Sequence, residues 1–252
     1  MLVRPPEPST SPAAPKDAGP QLTLAGHLEE LRRRLGVCLL ALLVSVGASA
    51  VWIEGIIAWL ARPAEGLIPR FAYFTPTEPL VAYIRVAVLG GVTLAMPVLL
   101  WQVWGFVRSG LTSNERTAGL VFAGWGSLQF VAGAAVAYYV LLPAGLRLLL
   151  GIGRTYLLPV ISIDRYLDFV TTLVFCMGLL FELPVALVVL AKLGIVTAEW
   201  LRQQRPYAIL VLVIIAALVT PTTDPVSLFL MAVPLVVLYE LSIFVTRLAL
   251  KK

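Results

Sequence analysis

Six apolar stretches separated by short polar joints organise this chain: Leu35 to Ile53, Leu80 to Val107, Leu120 to Leu142, Leu167 to Ala191, Tyr207 to Val219 and Val226 to Val245. A helix needs about 20 apolar residues to cross a bilayer, and helices suit the membrane because each satisfies its own backbone groups. The pattern predicts an all-α polytopic membrane protein of six transmembrane helices. The fifth stretch reaches only about 20 Å at 1.5 Å per residue, short of a hydrocarbon core of about 30 Å.

Ahead of the first span, Leu24, Leu28, Leu31 and Leu35 recur at helical spacing, while Glu29, Glu30, Arg32, Arg33 and Arg34 fill the rest of the circumference. This predicts an amphipathic helix at the membrane surface running into the first span. Between the third and fourth spans, Ala144 to Arg165 is interrupted by Gly145, Arg147, Gly151, Gly153, Arg154 and Pro159. It reads as a short amphipathic cap lying at the interface.

Composition agrees with the pattern: 60% of residues are hydrophobic and 13% charged, against about 25% charged in soluble domains. Met1 to Pro20 carries six prolines and reads as a disordered tail, leaving residues 21–252 as the six-helix domain. The basic flank, apolar core and Ala48-Ser49-Ala50 of the first span resemble a cleavable signal peptide. The apolar run continues through Val51, Trp52 and Ile53 and five more spans follow, so an uncleaved first helix is expected.

With the N-terminus inside, thirteen of the nineteen Lys and Arg residues fall on the inner side, which places both termini in the cytoplasm by the positive-inside rule. The net charge of +5 therefore reports topology and not a nucleic-acid partner. His27 is the only histidine and no phosphate-binding loop is present, so zinc-protease, Ser-His and nucleotide-hydrolysing chemistries lack their parts. Cys38 and Cys176 lie in apolar spans and read as packing residues. Neither catalysis, a metal nor a cofactor is expected.

The informative residues are acids. Glu182 sits in "LLFELPVALVVL", where a carboxylate costs at least about 2.5 kcal/mol and so marks a functional candidate. Thr171, Phe175, Gly178 and Ala186 share its helical face, which predicts small and polar neighbours. Arg85, the one basic residue well inside a span, is the internal partner to consider, although it is expected to snorkel outward. At the inner face, Glu29 with Arg33 and Glu30 with Arg34 fit i,i+4 pairs worth a few tenths of a kcal/mol each. Thr112 to Glu115 fits a capping box. Taken alone, these patterns favour pairing and capping over binding.

"HLEELRRRL", "FTPTEPL", "WQVWGFVRSGLTSNER", "FELPVALVVLAKLGIVTAEWLRQQRPY" and "TPTTDPVSLFLMAVPLVVLYE" follow one another in this order, and together they resemble TatC, the six-helix subunit of the twin-arginine protein translocase. The resemblance covers Leu24 to Arg247. It implies a curved, cupped bundle with short fifth and sixth helices in the prokaryotic inner membrane. It also implies recognition of folded proteins carrying a twin-arginine signal peptide, and export with TatA- and TatB-type partners, self-association and the proton gradient.

Residue by residue, the resemblance carries signal-arginine binding to Glu30 and Glu115, with Phe106 in the signal site. It makes Glu182 an intramembrane polar contact for a partner helix, protonated or hydrated, and matches Pro63 and Asp224 as loop positions. An independent argument supports the two inner acids: adjacent guanidinium groups, always charged and bidentate, call for two or more carboxylates on one surface. Ser109 and Leu228 stand where the family usually has proline and glutamine, so local loop geometry differs there. The competing reading is a proton-coupled small-solute transporter with Glu182 as proton carrier, although no internal repeat of the kind common in such folds is present.

Overall fold

The computed structural model describes residues 24–68, 70–107, 119–151, 160–219 and 225–249. Among them the elements are α1 (Leu24–Val51), α2 (Ile53–Ala61), α3 (Glu78–Val107), α4 (Gly119–Val136), α5 (Leu142–Gly151), α6 (Ile163–Leu180), α7 (Leu183–Lys192), α8 (Ala198–Gln203), α9 (Arg205–Val219) and α10 (Pro225–Ala249). Five spans are long and apolar enough to cross a membrane, running over Leu28–Val51, Glu78–Val107, Leu120–Gly151, Ile163–Lys192 and Leu228–Leu248. The last, at 21 residues, is the shortest of them. The predicted fifth span is α9, whose 15 residues rise about 22 Å.

The amphipathic lead-in and first span form one unbroken helix, since α1 runs 28 residues without a cap or proline to stop it. Residues Ala144 to Gly151 depart from the predicted interfacial cap. A π-helical turn over Ala137–Leu141 joins α4 directly to α5, so the third span continues through this stretch. Pro143 and Gly145 are accommodated because the wider π turn relaxes the hydrogen-bond register that a proline interrupts. Residues 152–159 of the predicted cap lie outside the described residues, as do Met1 to Pro20.

Helices meet where side chains vanish. A methyl at Gly91 of α3 would stand 2.7 Å from the Val46 Cα of α1, and one at Gly133 of α4 would stand 2.6 Å from the Met177 carbonyl of α6. Both contacts require glycine, and close backbone approach is what holds membrane helices together in the absence of a hydrophobic drive. Around them Leu60, Val86, Phe130, Leu142, Leu167, Val170, Met177 and Leu235 are fully buried. By contrast α1 keeps Leu35, Leu39, Leu40, Leu43 and Val44 exposed, an apolar surface suited to lipid.

At the face opposite the start of α1, the loop before α3 pairs with the loop before α6: Ala72 N–H donates to the Ile161 carbonyl at 3.1 Å and Ile163 N–H to the Ala72 carbonyl at 2.9 Å. Below this bridge Arg85 of α3 reaches Asp164 and Asp168 of α6, each at 3.0 Å. Arg85 therefore pairs across helices, and it does so with this pair of acids and not with Glu182. A guanidinium shared between two carboxylates one turn apart is a better-satisfied charge than one stretched alone toward water.

Candidate functional site

Among the described residues, several groups of polar side chains interrupt the apolar bundle, and three of them bear on the site. The first lies where α1 begins and α3 ends. Arg34 folds back along α1 so that its Nε and one terminal nitrogen donate to Glu30 Oε1 at 3.0 and 2.5 Å. Its other terminal nitrogen donates to the Gln102 side-chain oxygen at 3.3 Å. The guanidinium lies over Gly105, where a methyl would come within 2.7 Å of Cζ. Glycine is thus required at that position for Arg34 to bridge α1 and α3.

The predicted Glu30–Arg34 pair is present, and it extends to a second helix that the sequence spacing could not reveal. Arg34 is 12% exposed and Glu30 21%, so the pair is a partly dry feature and not a solvated surface contact. Glu29 and Arg33, predicted as an equivalent pair, are both exposed. Phe106, one residue beyond Gly105, is 41% exposed on the same rim. Glu115 and Ser109 belong to residues 108–118, which together with Asp224 lie outside the described residues.

The second group surrounds Glu182. Pro184 has no N–H to donate and cannot follow an uninterrupted helix, so the fourth span breaks into α6 and α7 with Glu182 at the junction as N-cap of α7. The Glu182 N–H turns back to the Leu179 carbonyl at 3.1 Å, and its own carbonyl accepts from Ala186 at 2.9 Å. The carboxylate faces α4 at Gly126, and both its oxygens are buried with no hydrogen-bond partner. Trp104 Nε1 on α3 and Gln129 Oε1 on α4 are likewise buried and unpaired.

Trp104 and Gln129 line a cavity of about 490 Å³ between α4, α7 and α10, bounded by Trp125, Pro184, Lys192 and Leu241. Of the residues predicted to share a face with Glu182, Gly178 does face α4, packing on the Phe130 ring. Thr171 is buried and donates to the Leu167 carbonyl at 2.6 Å within its own helix. Phe175 instead lines the cavity beside Arg85 and Asp168. Buried polar atoms are nearly always paired in proteins, and among the described residues the carboxylate of Glu182, the indole N–H of Trp104 and the amide oxygen of Gln129 are exceptions in neighbouring helices.

The third group is the cap opposite. Glu78 accepts from the Ser162 hydroxyl at 2.5 Å and from Phe74 N–H at 3.2 Å, tying α3 to the N-cap of α6. Pro63 opens the 3-10 turn Arg62–Ala64 that ends α2. The last carbonyls of α2, at Trp59 and Leu60, accept from the Tyr138 and Tyr166 hydroxyls at 2.5 and 2.8 Å. Sequence reasoning missed the Glu78–Ser162 and Arg85–Asp164–Asp168 links. The signal available was an in-span arginine with two acids at i,i+4 spacing on another helix.

Residues 26–234 match the family described as Sec-independent protein translocase protein (TatC). The Aquifex aeolicus Sec-independent protein translocase protein TatC is 38% identical over 235 residues, covering 92% of this chain and 97% of that one. The Bacillus subtilis protein TatCy is 36% identical, covering 92% and 91%. A crystal structure of the twin arginine translocase receptor TatC superposes with a TM-score of 0.79 at 37% identity, covering 88% of this chain and 99% of that one.

Proposed function

Because this chain belongs to the TatC family of Sec-independent protein translocase proteins, a multi-pass membrane component of a prokaryotic twin-arginine translocase, we propose how its polar groups serve that role. The rim formed by the start of α1 and the end of α3 faces the cytoplasm and receives the two arginines of a signal peptide. Glu30 and Glu115 supply the carboxylates, and Phe106 supplies an apolar contact beside them. Both chain termini lie on the cytoplasmic side of the inner membrane.

The observation that carries this reading is the Glu30–Arg34–Gln102 bridge, which presets a carboxylate on the rim where α3 ends, eight residues before Glu115 in the sequence. A planar, permanently charged guanidinium from a peptide competes with Arg34 for that carboxylate, and bidentate geometry favours arginine over lysine. Glu182 serves a separate step: its unpaired oxygens offer a buried polar contact to a helix of a TatA- or TatB-type partner or of the signal peptide. Pro63, in the opposite cap, and Asp224 serve as structural or partner-contact positions. The proton gradient drives export, and family membership replaces the solute-transporter reading.

The test is photo-crosslinking of a twin-arginine peptide to the full chain in membranes. Glu30→Ala and Glu115→Ala are expected to reduce crosslinking, whereas Glu182→Ala leaves it intact and reduces partner assembly. Unchanged crosslinking in the Glu30 and Glu115 variants would refute the receptor site as drawn.

A further inference from the structure

A fourth polar group lies outside all of these contacts, where α8, α9 and the end of α10 converge. Arg205, which opens α9, donates to Glu240 of α10 at 2.6 Å. Beside this pair opens a cavity of about 320 Å³ whose charged lining is Glu199, Arg202, Arg205, Glu240 and Arg247. Glu240 is engaged by Arg205, while Arg202 and Arg247 are exposed and make no ion pair among the described residues. Arg205 Nε is buried with no partner. Three guanidinium groups against two carboxylates leave the cavity with one net positive charge and with unused planar donors.

Its depth is that of a lipid headgroup. Arg247 lies at the end of the apolar span Leu228–Leu248. Phe244 lines the cavity, and exposed Trp200 and Tyr207 stand within two residues of Arg202 and Arg205 along the chain, a placement that Trp and Tyr favour at a membrane–water boundary. Basic pockets between transmembrane helices at this level suit phosphate-bearing headgroups.

We propose that the cavity walled by Glu199, Arg202, Arg205, Glu240 and Arg247 binds the phosphodiester headgroup of an anionic phospholipid. Arg202 and Arg247 contact the phosphate oxygens, Arg205 turns its buried Nε toward the same group, and the acyl chains lie along exposed Phe244 and the lipid-facing side of α10. The net positive charge selects an anionic headgroup over a zwitterionic one, whose ammonium offsets the attraction. The site is independent of signal-peptide binding, because it uses none of Glu30, Phe106, Glu115 or Glu182.

The experiment uses the full-length protein in detergent, with phosphatidylglycerol, phosphatidylcholine or inorganic phosphate added back, read by native mass spectrometry and by the shift in melting temperature. Phosphatidylglycerol is expected to stay bound and to raise the melting temperature, with phosphatidylcholine and inorganic phosphate doing neither. R202Q/R247Q should retain about tenfold less phosphatidylglycerol at subsaturating lipid, R202K/R247K should retain most of it, and R147Q, at the opposite membrane face, should match the parent. Should the double glutamine variant fail to fold, R202Q and R247Q are read singly, each with partial loss.

Equal phosphatidylglycerol retention by the glutamine variants, or equal binding of phosphatidylcholine by the parent, overturns the proposal. An equal melting shift from inorganic phosphate makes the cavity a free-anion site and overturns it as well. Glutamine variants that keep the lipid but lose a co-purifying protein assign the arginines to a protein carboxylate instead, again against the proposal.

Discussion

Glu182 and Gly126 are matched across the contact of the α6–α7 junction with α4: a methyl built at Gly126 would stand 3.0 Å from Glu182 Oε2 and 3.5 Å from Oε1. The glycine leaves room for a carboxylate that no side chain among the described residues satisfies. Glu182→Ala is expected to keep insertion and to leave melting temperature unchanged or higher, because the acid costs at least about 2.5 kcal/mol in a span. Partner assembly and export should fall. Gly126→Ala, which crowds the same oxygens and also meets Leu100 Cδ1 at 2.6 Å, should impair assembly alone and add less than fully in the Glu182→Ala background, a partial non-additivity that co-purification of partners would measure.

Signal-peptide affinity should depend on charge at the α1–α3 rim. Glu30→Ala and Glu115→Ala each remove a charge-assisted contact of about 1.5 to 3 kcal/mol, less whatever solvent screens at a partly exposed site, and the loss should shrink as salt rises. Glu29→Ala should do less. Glu115→Gln can still close a capping box, so tight peptide binding by that variant would show that Glu115 caps and does not recognise. Affinities at two salt concentrations decide.

Arg34 competes with the peptide for Glu30 in this geometry. Arg34→Gln is therefore expected to tighten twin-arginine peptide binding while loosening α1 from α3, seen as a lower melting temperature. Gly105→Ala should act in the same direction by displacing the guanidinium. Weaker peptide binding in a stably folded Arg34→Gln protein would mean that Arg34 holds Glu30 in position and does not compete with the peptide.

The opposite cap should be graded by burial. Asp164 is 18% exposed and Asp168 47%, so Asp164→Asn should lower stability more than Asp168→Asn, the latter by no more than about 1 kcal/mol. Glu78→Gln weakens the Ser162 link and should add to Asp164→Asn less than fully, because both act on the N-cap of α6. Thermal melts in one detergent at fixed pH measure all four proteins.

A lengthened α9 tests whether its shortness matters. Four apolar residues inserted between Val213 and Val219 add about 6 Å and bring the helix near the thickness of the hydrocarbon core. Export or partner docking should fall at unchanged expression level if the thin wall is used. Unchanged export would make the length incidental.

The existence and order of the apolar segments were readable from the chain alone, because lipid obliges each segment to satisfy its own backbone through local i to i−4 bonds, and the length of an apolar run then suffices; the third span's extension to Gly151 was not. The same locality made Leu24 to Leu35 readable as an amphipathic lead-in, whereas the stretch Leu167 to Ala191 was read as one span and its break beside Pro184 emerged only in the structure. Family motifs, being local strings, pointed to Glu30, Phe106, Glu182 and Pro63. Tertiary structure decided the rest, since side-chain pairing depends on which helix lies alongside. Arg34 reaching Gln102, 68 positions away, and Arg85 reaching Asp164, 79 positions away, leave no periodic trace. The run from Ala144 to Gly151 looked too interrupted to continue a span until a π turn and the packing of Leu142 and Leu146 in the core absorbed it. In the same way, Glu182 was defined as a buried, unpaired acid only by the packing of Gly126 of α4 against it.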